Sequence, residues 1–225
     1  MQVISFIWRA KYGHFLKAGA NRNSLTYPIP PKTAIIGLLG AILGLEKGQA
    51  QTKLNPLVSI SGCPPAPLPY TVTTRMAGMK NPRPEKPTLI NQEWLWKPSF
   101  LISIALPEQQ ETFNELEYRL KNQQYYYSPS MGLSELIAHL DYQETNLATA
   151  LGQGSYQIDG FFPDYAANLI PTINDSVVQL IRMPVNVDAD RLFHHENIYL
   201  ERSGKAISVE TNNAWQVGNR KLIFF

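Results

Sequence analysis

The sequence predicts an α+β fold: a ferredoxin-like (RRM-like) unit carrying an inserted β-hairpin, followed by a smaller β-rich C-terminal half. Three observations carry that prediction. The first part of the chain orders its elements as strand, helix, strand, strand, helix, strand, the split βαβ pattern. A long basic segment interrupts that order after a strongly alternating strand, and beyond residue 126 short β-rich runs dominate. The expected boundaries are 1–125 for the first unit, with the hairpin at about 70–106, and 126–225 for the β-rich half, the two forming one continuous domain.

Taken in order, VISFIW near the start is the first strand. Residues 13–44, GHFLKAGANRNSLTYPIPPKTAIIGLLGAILG, run from a polar loop through a proline turn into an apolar helix. Pro28, Pro30 and Pro31 fix φ and bias the residues before them toward extended backbone, so the helix begins only at Lys32 or Thr33. From there it is apolar all round, which predicts burial. Gly37, Gly40 and Gly44 share one face, where a missing Cβ lets a helix lie close against a sheet, and Gly44 can end it in the left-handed conformation. LVSISG at 57–62 is a strand, and PPAPLP at 64–69 a stiff connector rather than a strand. YTVTTR at 70–75 and FLISIAL at 100–106 are the two best strands by alternation. Thr112 and Glu115 form a capping box for a helix whose inward face is Phe113, Leu116 and Leu120. VVQLIRM, AISVE and WQVGNRKLIFF are strands of the C-terminal half.

Composition narrows the function. No apolar run approaches about 18 residues, so no helical membrane span is expected. The start lacks the basic region and cleavage site of a secretory signal. Cys63 is the sole cysteine, which fits a reducing cytoplasm and excludes an internal disulfide, a thiolate zinc site and an iron–sulfur cluster. The net charge of +2 conceals an asymmetry: residues 1–97 hold 12 Lys/Arg and 3 Asp/Glu, residues 98–225 hold 8 and 15. A basic first half points to a polyanionic ligand on one side of the molecule.

Three segments concentrate the functional signal. The loop before the apolar helix holds His14, Lys17, Asn21, Arg22, Asn23, Ser24 and Tyr27 without a carboxylate. Residues 76–98, MAGMKNPRPEKPTLINQEWLWKP, combine length, cations, prolines, two methionines, and Trp94 with Trp96 on the return; a surface segment this long argues for a functional element. Trp94 and Trp96 can stack bases, or pack the base of the hairpin. In the third segment, three consecutive tyrosines at 125–127 cannot all face one way, so one or two are exposed, and Ser128, Ser130 and Gly132 make a loop whose backbone can approach a phosphate.

Catalytic readings are weaker. His14, His139, His194 and His195 make no metal-binding spacing with the carboxylates, so no metal and no cofactor are expected. His194 and His195 are adjacent, and adjacent strand side chains point to opposite faces. The glycines at 37–44 are not followed by Gly-Lys-Ser/Thr, so no P-loop is present.

The stretches at 13–15 and 25–44, above all PPKTAIIGLLGAILG, resemble the N-terminal signature of the fifth CRISPR-associated protein family, a subunit of type I Cascade. YYYSPSMGLSELIA at 125–138 resembles that family's P-x-L-G-x-S-E block, and LIRMPVN at 180–186 its R-M-P element. The resemblance, closest to the I-B branch, implies a palm with a β-hairpin thumb. It also implies a cytoplasmic RNA-binding subunit that holds the 5′ handle of the crRNA and caps its first spacer nucleotides. The neighbours it implies are the Cascade backbone subunit and large subunit, with target DNA met indirectly. By the same resemblance the contacts are His14, Lys17, Asn21, Arg22, Asn23, Ser24, Tyr27 and Lys32 from the palm, and Arg75, Met76, Met79, Lys80, Arg83 and Lys86 from the thumb. Tyr127, Ser130, Met131, Gly132, Ser134 and Arg182 complete them. The methionines would wedge against base faces and the cations meet phosphates. One branch of the family cleaves precursor RNA without metal through a tyrosine, a lysine and a histidine, and His14, Lys17 and Tyr27 are of those types. The non-catalytic branch is the expectation; the endoribonuclease is the first alternative, and an unrelated RNA-recognition module the second.

Overall fold

Val3 and Ser5 of the first strand are buried on one face of the sheet, and Ile4, Phe6 and Trp8 on the other. A strand buried on both faces belongs in the middle of a sheet, and the computed structural model places it there. The model describes residues 1–17, 23–46, 48–75, 87–171, 177–188, 190 and 192–225. In chain order the elements are β1 (Gln2–Ala10), β2 (Tyr12–Gly13), β3 (Asn23–Ser24), α1 (Lys32–Leu43), α2 (Gln49–Lys53), β4 (Leu57–Ser61), β5 (Pro67–Arg75), β6 (Pro87–Trp96) and β7 (Ser99–Ala105). Then follow α3 (Gln110–Asn122), β8 (Ala138–Ala150), β9 (Gly154–Ile158), β10 (Phe162–Pro163), a 3-10 turn at Asp164–Ala166 and β11 (Asn168–Leu169). The last strands are β12 (Val178–Val187), β13 (Phe193–Glu201), β14 (Ile207–Thr211), β15 (Ala214–Val217) and β16 (Arg220–Ile223).

The principal sheet has the order β16-β15-β8-β1-β7-β4, every pair antiparallel. On one face Ile4, Phe6, Trp8, Ile102 and Ile104 pack under Ile35, Leu39 and Ile42 of α1 and Phe113, Leu116 and Leu120 of α3. On the other, Val3, Ala105 and Ala148 meet Val217 and Leu222 of the closing hairpin. The inward face of α3 is as the 3.6-residue period requires. β10-β13-β12 and β11-β14-β9 form two three-stranded sheets, the latter around Ile158, Ile207 and Val209. β8, β15 and β16 lie beyond residue 126 yet belong to the sheet centred on β1, so the two halves share it.

Several local expectations are corrected. α3 starts at Gln110, capped by the backbone of Gln109 without a side-chain hydrogen bond, so Thr112 sits inside the first turn and makes no capping box. Pro67 and Pro69 are part of β5, not of a connector. Among the described residues β5 pairs with β6 alone, and alternate residues on such an edge face outward with the backbone position that proline leaves without N–H, so proline costs no ladder bond. The hairpin is β5 with β6; β7, the other strongly alternating strand, belongs to the principal sheet. α1 begins at Lys32 and ends on Gly44 at φ 79°, as expected. Its glycines do not lie on the sheet: a Cβ on Gly40 would meet Ala50 of α2, one on Gly44 would strike Tyr126, and Gly37 is exposed with open space. The bulky residues of α1 need the sheet, so the small ones are left for α2 and the 125–127 segment.

Candidate nucleic-acid interface

Strand β6 organises the basic loop. Tyr12 and Gly13 of β2 pair with Trp96 and Leu95 in antiparallel register, and Asn23 and Ser24 of β3 pair in parallel with Asn91 and Gln92. The loop is stitched across itself by Lys17 N to Leu25 O at 2.9 Å and Tyr27 N to Phe15 O at 2.8 Å. His14 is 2% exposed. Its Nδ1–H donates to the Glu93 carbonyl at 2.7 Å, because a carbonyl can only accept, and that tautomer leaves Nε2 to accept from Ser24 Oγ at 3.2 Å. The Glu93 carboxylate accepts from Thr26 N at 3.1 Å, while Thr26 Oγ1 accepts from Phe15 N and donates to Tyr27 O. A histidine, a threonine and one carboxylate therefore fix the loop's shape.

The second wall is the 129–136 segment. His14 N donates to Met131 O at 3.0 Å, and Met131 N to Leu136 O at 2.8 Å. Gly132 holds φ at 95°, and a Cβ there would overlap the His14 carbonyl; a Cβ on Gly13 would come within 2.6 Å of the side chain of the buried Met131. Two segments more than a hundred residues apart thus touch backbone to backbone. Between them, the start of α1 and the facing ends of β12 and β13 lies a groove of about 760 Å³, with Phe15, Leu16, Thr33, Gly132, Pro184 and Phe193 among its lining residues.

The expected residues distribute as follows. His14, Lys17, Ser24, Tyr27, Met131 and Gly132 come together around the loop and groove, Asn23 next to Ser24 on β3. Lys17 Nζ stands 5.7 Å from the centre of the Tyr27 ring, and burial pushes the Tyr27 phenol above its ordinary pKa. Of the three tyrosines, Tyr125 packs inward with its hydroxyl donating to Leu140 O, while Tyr126 and Tyr127 are exposed and meet edge to face at 4.8 Å. Ser130 bridges to Ile137, Ser134 is exposed and donates to Glu135, and Arg182 is exposed on β12 opposite Asn197. Lys32 lines a small cavity with Glu196 and stands 5.9 Å from the Phe225 ring; burial pushes its pKa down, against the partial support of Glu196. Arg75 ends β5. Asn21, Arg22, Met76, Met79, Lys80, Arg83 and Lys86 lie outside the described residues. Sequence reasoning missed Glu93, although a lone acid in the return strand of a basic hairpin was a signal. It also took only Arg182 from the LIRMPVN stretch, leaving out Pro184, and missed Phe193, which nothing local marks.

The segment from β2 to β8 that builds this loop, hairpin and wall is also the segment that a family description recognises. The family described as CRISPR-associated protein (Cas_Cas5) matches residues 13–148. The chain belongs to that family. Among solved structures, the family fold recurs in a CRISPR protein from Archaeoglobus fulgidus at TM-score 0.60 and 12% identity, covering 100% of this chain and 99% of that one. A chain of a CRISPR RNA-guided surveillance complex aligns at TM-score 0.54 and 14% identity, covering 91% of each. A Cas protein aligns at TM-score 0.52 and 12% identity over 90% of this chain and 95% of that one. No curated protein matches the sequence. No helix among the described residues is long and apolar enough to cross a membrane.

Proposed function

We propose that the chain is a non-catalytic RNA-binding subunit of a type I CRISPR effector complex, nearest in its motifs to the I-B branch. Its groove holds the repeat-derived 5′ handle of the crRNA. The observation that carries this is the backbone contact between the 13–15 and 130–132 segments, which brings the two motifs of the family together as walls of one groove beside a loop without acids. The four strands β4-β7-β1-β8 with α1 and α3 on one face support a ferredoxin-like palm. The β5–β6 hairpin is its thumb, capping the first spacer nucleotides, and the surrounding surface docks the backbone and large subunits in the cytoplasm. The likeness in fold to a surveillance-complex chain supports that setting. The non-catalytic reading is supported by His14: a general base must reach its substrate, and here both ring nitrogens hold partners inside the protein.

The test uses the full chain and synthetic repeat RNA. The handle is expected to bind in preference to a scrambled sequence and to stay intact with chelator present. Lys17→Ala and Arg22→Ala should each make the dependence of log affinity on log salt shallower by up to about 0.7. Lys32→Ala, at a half-buried position beside Phe225 and Glu196, should leave that slope alone. Cleavage in chelator would replace this reading with the endoribonuclease, and absence of handle preference would replace it with an unrelated RNA-recognition module.

A further inference from the structure

The outer face of the hairpin sheet is chemically unlike the groove. Strand alternation directs Leu95 of β6 into the core and Glu93 to the loop, and sends Trp94 and Trp96 to the opposite face. Tyr12 stands between the indoles, its ring centre 5.3 Å from that of Trp94 and 5.2 Å from that of Trp96, edge to face in both cases. Lys11 Nζ is 5.5 Å from the centre of the Tyr12 ring and Lys97 Nζ 5.4 Å from that of Trp96, whose side chain remains 41% exposed. Lys97 adopts φ 47°, uncommon outside glycine, at the turn where its amide bonds the Lys11 carbonyl. Glu93 of the same strand points to the loop and accepts from the Thr26 amide, and Asp141 of β8, in the principal sheet, pairs with Arg9.

We propose that this face is a second nucleic-acid contact, separate from the groove, on which the bases of a single strand stack without being read. The proposal rests on the chain being a nucleic-acid-binding subunit and adds a place for a strand outside the groove. Charge decides the occupant. An aromatic row with one exposed indole and two half-buried rings is also what a protein neighbour would cover, but two lysines flanking the rings favour a ligand carrying anions beside flat apolar faces. Every base has such a face, so stacking is tolerant of sequence, and the Trp94 Nε1–H already donates to Gln92 Oε1 rather than outward.

Intrinsic tryptophan fluorescence of the full chain, titrated with unstructured oligo-U and oligo-dT, tests this. Saturable quenching is expected, since a stacked base quenches the indole it covers. Trp96→Ala should weaken binding at least about fivefold, Trp96→Phe should retain most of it, and the Lys11→Ala, Lys97→Ala pair should lower the salt slope by about 0.7 per lysine. Preference for oligo-U or oligo-dT, either of which supports the proposal, tells which kind of strand uses the face. Handle binding should survive Trp96→Ala, whereas Lys17→Ala should weaken handle binding and spare the oligomers. No quenching in the parent protein, or unchanged affinity in Trp96→Ala, would assign the face to a protein neighbour and overturn the proposal. Loss of handle and oligomer binding together in Trp96→Ala would overturn its separateness from the groove.

Discussion

Replacing Glu201 by alanine is expected to destabilise the chain by on the order of 3–5 kcal/mol, a large share of a typical domain's stability. The carboxylate ends β13 at 1% exposure and accepts from four donors: Val177 N at 3.3 Å, Ser203 N and Ser203 Oγ at 2.8 Å, and Lys205 N at 2.8 Å. Truncation removes the one acceptor shared by three backbone N–H groups and a hydroxyl and leaves a hole where the buried carboxylate stood. Burial pushes the Glu201 pKa up, but the hydrogen bonds from Lys205, Ser203 and Val177 pull it further down, and the net direction is below the ordinary value. A folded pKa below the unfolded one means that the contribution is fully present above about pH 4.3 and disappears as pH falls through the folded value. Glu201→Gln keeps the shape but cannot titrate and turns an NH₂ toward donors. Urea denaturation from pH 7 to 3 should therefore show the parent losing stability on acidification more steeply than Glu201→Gln. Parallel curves would refute the assignment.

Gly132→Ala is expected to cost about 3 kcal/mol and to abolish handle binding. Positive φ alone strains an alanine by about 1 kcal/mol or more. The added methyl must also occupy the place of the His14 carbonyl, a backbone atom that cannot rotate aside. Relief requires the 130–132 segment to retreat, which breaks the His14 N to Met131 O bond and opens the groove. Gly37→Ala is the natural control, since its Cβ meets nothing within 4 Å and helix propensity should make it neutral or stabilising by up to about 1 kcal/mol. Equal melting temperatures for Gly132→Ala and the parent would remove the close approach as the basis of the site.

What could be read from the chain divides by the range of the physics involved. The start of α1 follows from prolines adjacent to it, and the buried face of α3 from its own periodicity, so both were legible. Burial by a distant partner was not. β8 carries HLDYQETNLATA, too polar to look like a strand, yet it flanks the central strand because only every second residue near its start is buried. The prolines of β5 signalled a break, and the open edge made them harmless. Within the site, the 13–15 and 130–132 segments were each conspicuous, but their contact depends on a fold that closes more than a hundred residues. Glu93 escaped notice because its value lies in Thr26, 67 residues earlier.

β6 has a mechanical consequence. One strand sets the register of β5, β2 and β3 at once, and its alternate residues serve opposite customers: Glu93 and Leu95 the loop and core, Trp94 and Trp96 the outer aromatic row. A slip of one residue would invert all four. The hairpin therefore cannot ratchet along its neighbours while the loop keeps its shape, and only rigid swinging or bending of the part of β6 before residue 91 remains open to it. Anything that clamps β5 and β6 is then geared to the loop through a common rail, and by reciprocity whatever fills the groove restrains these strands by the same free energy.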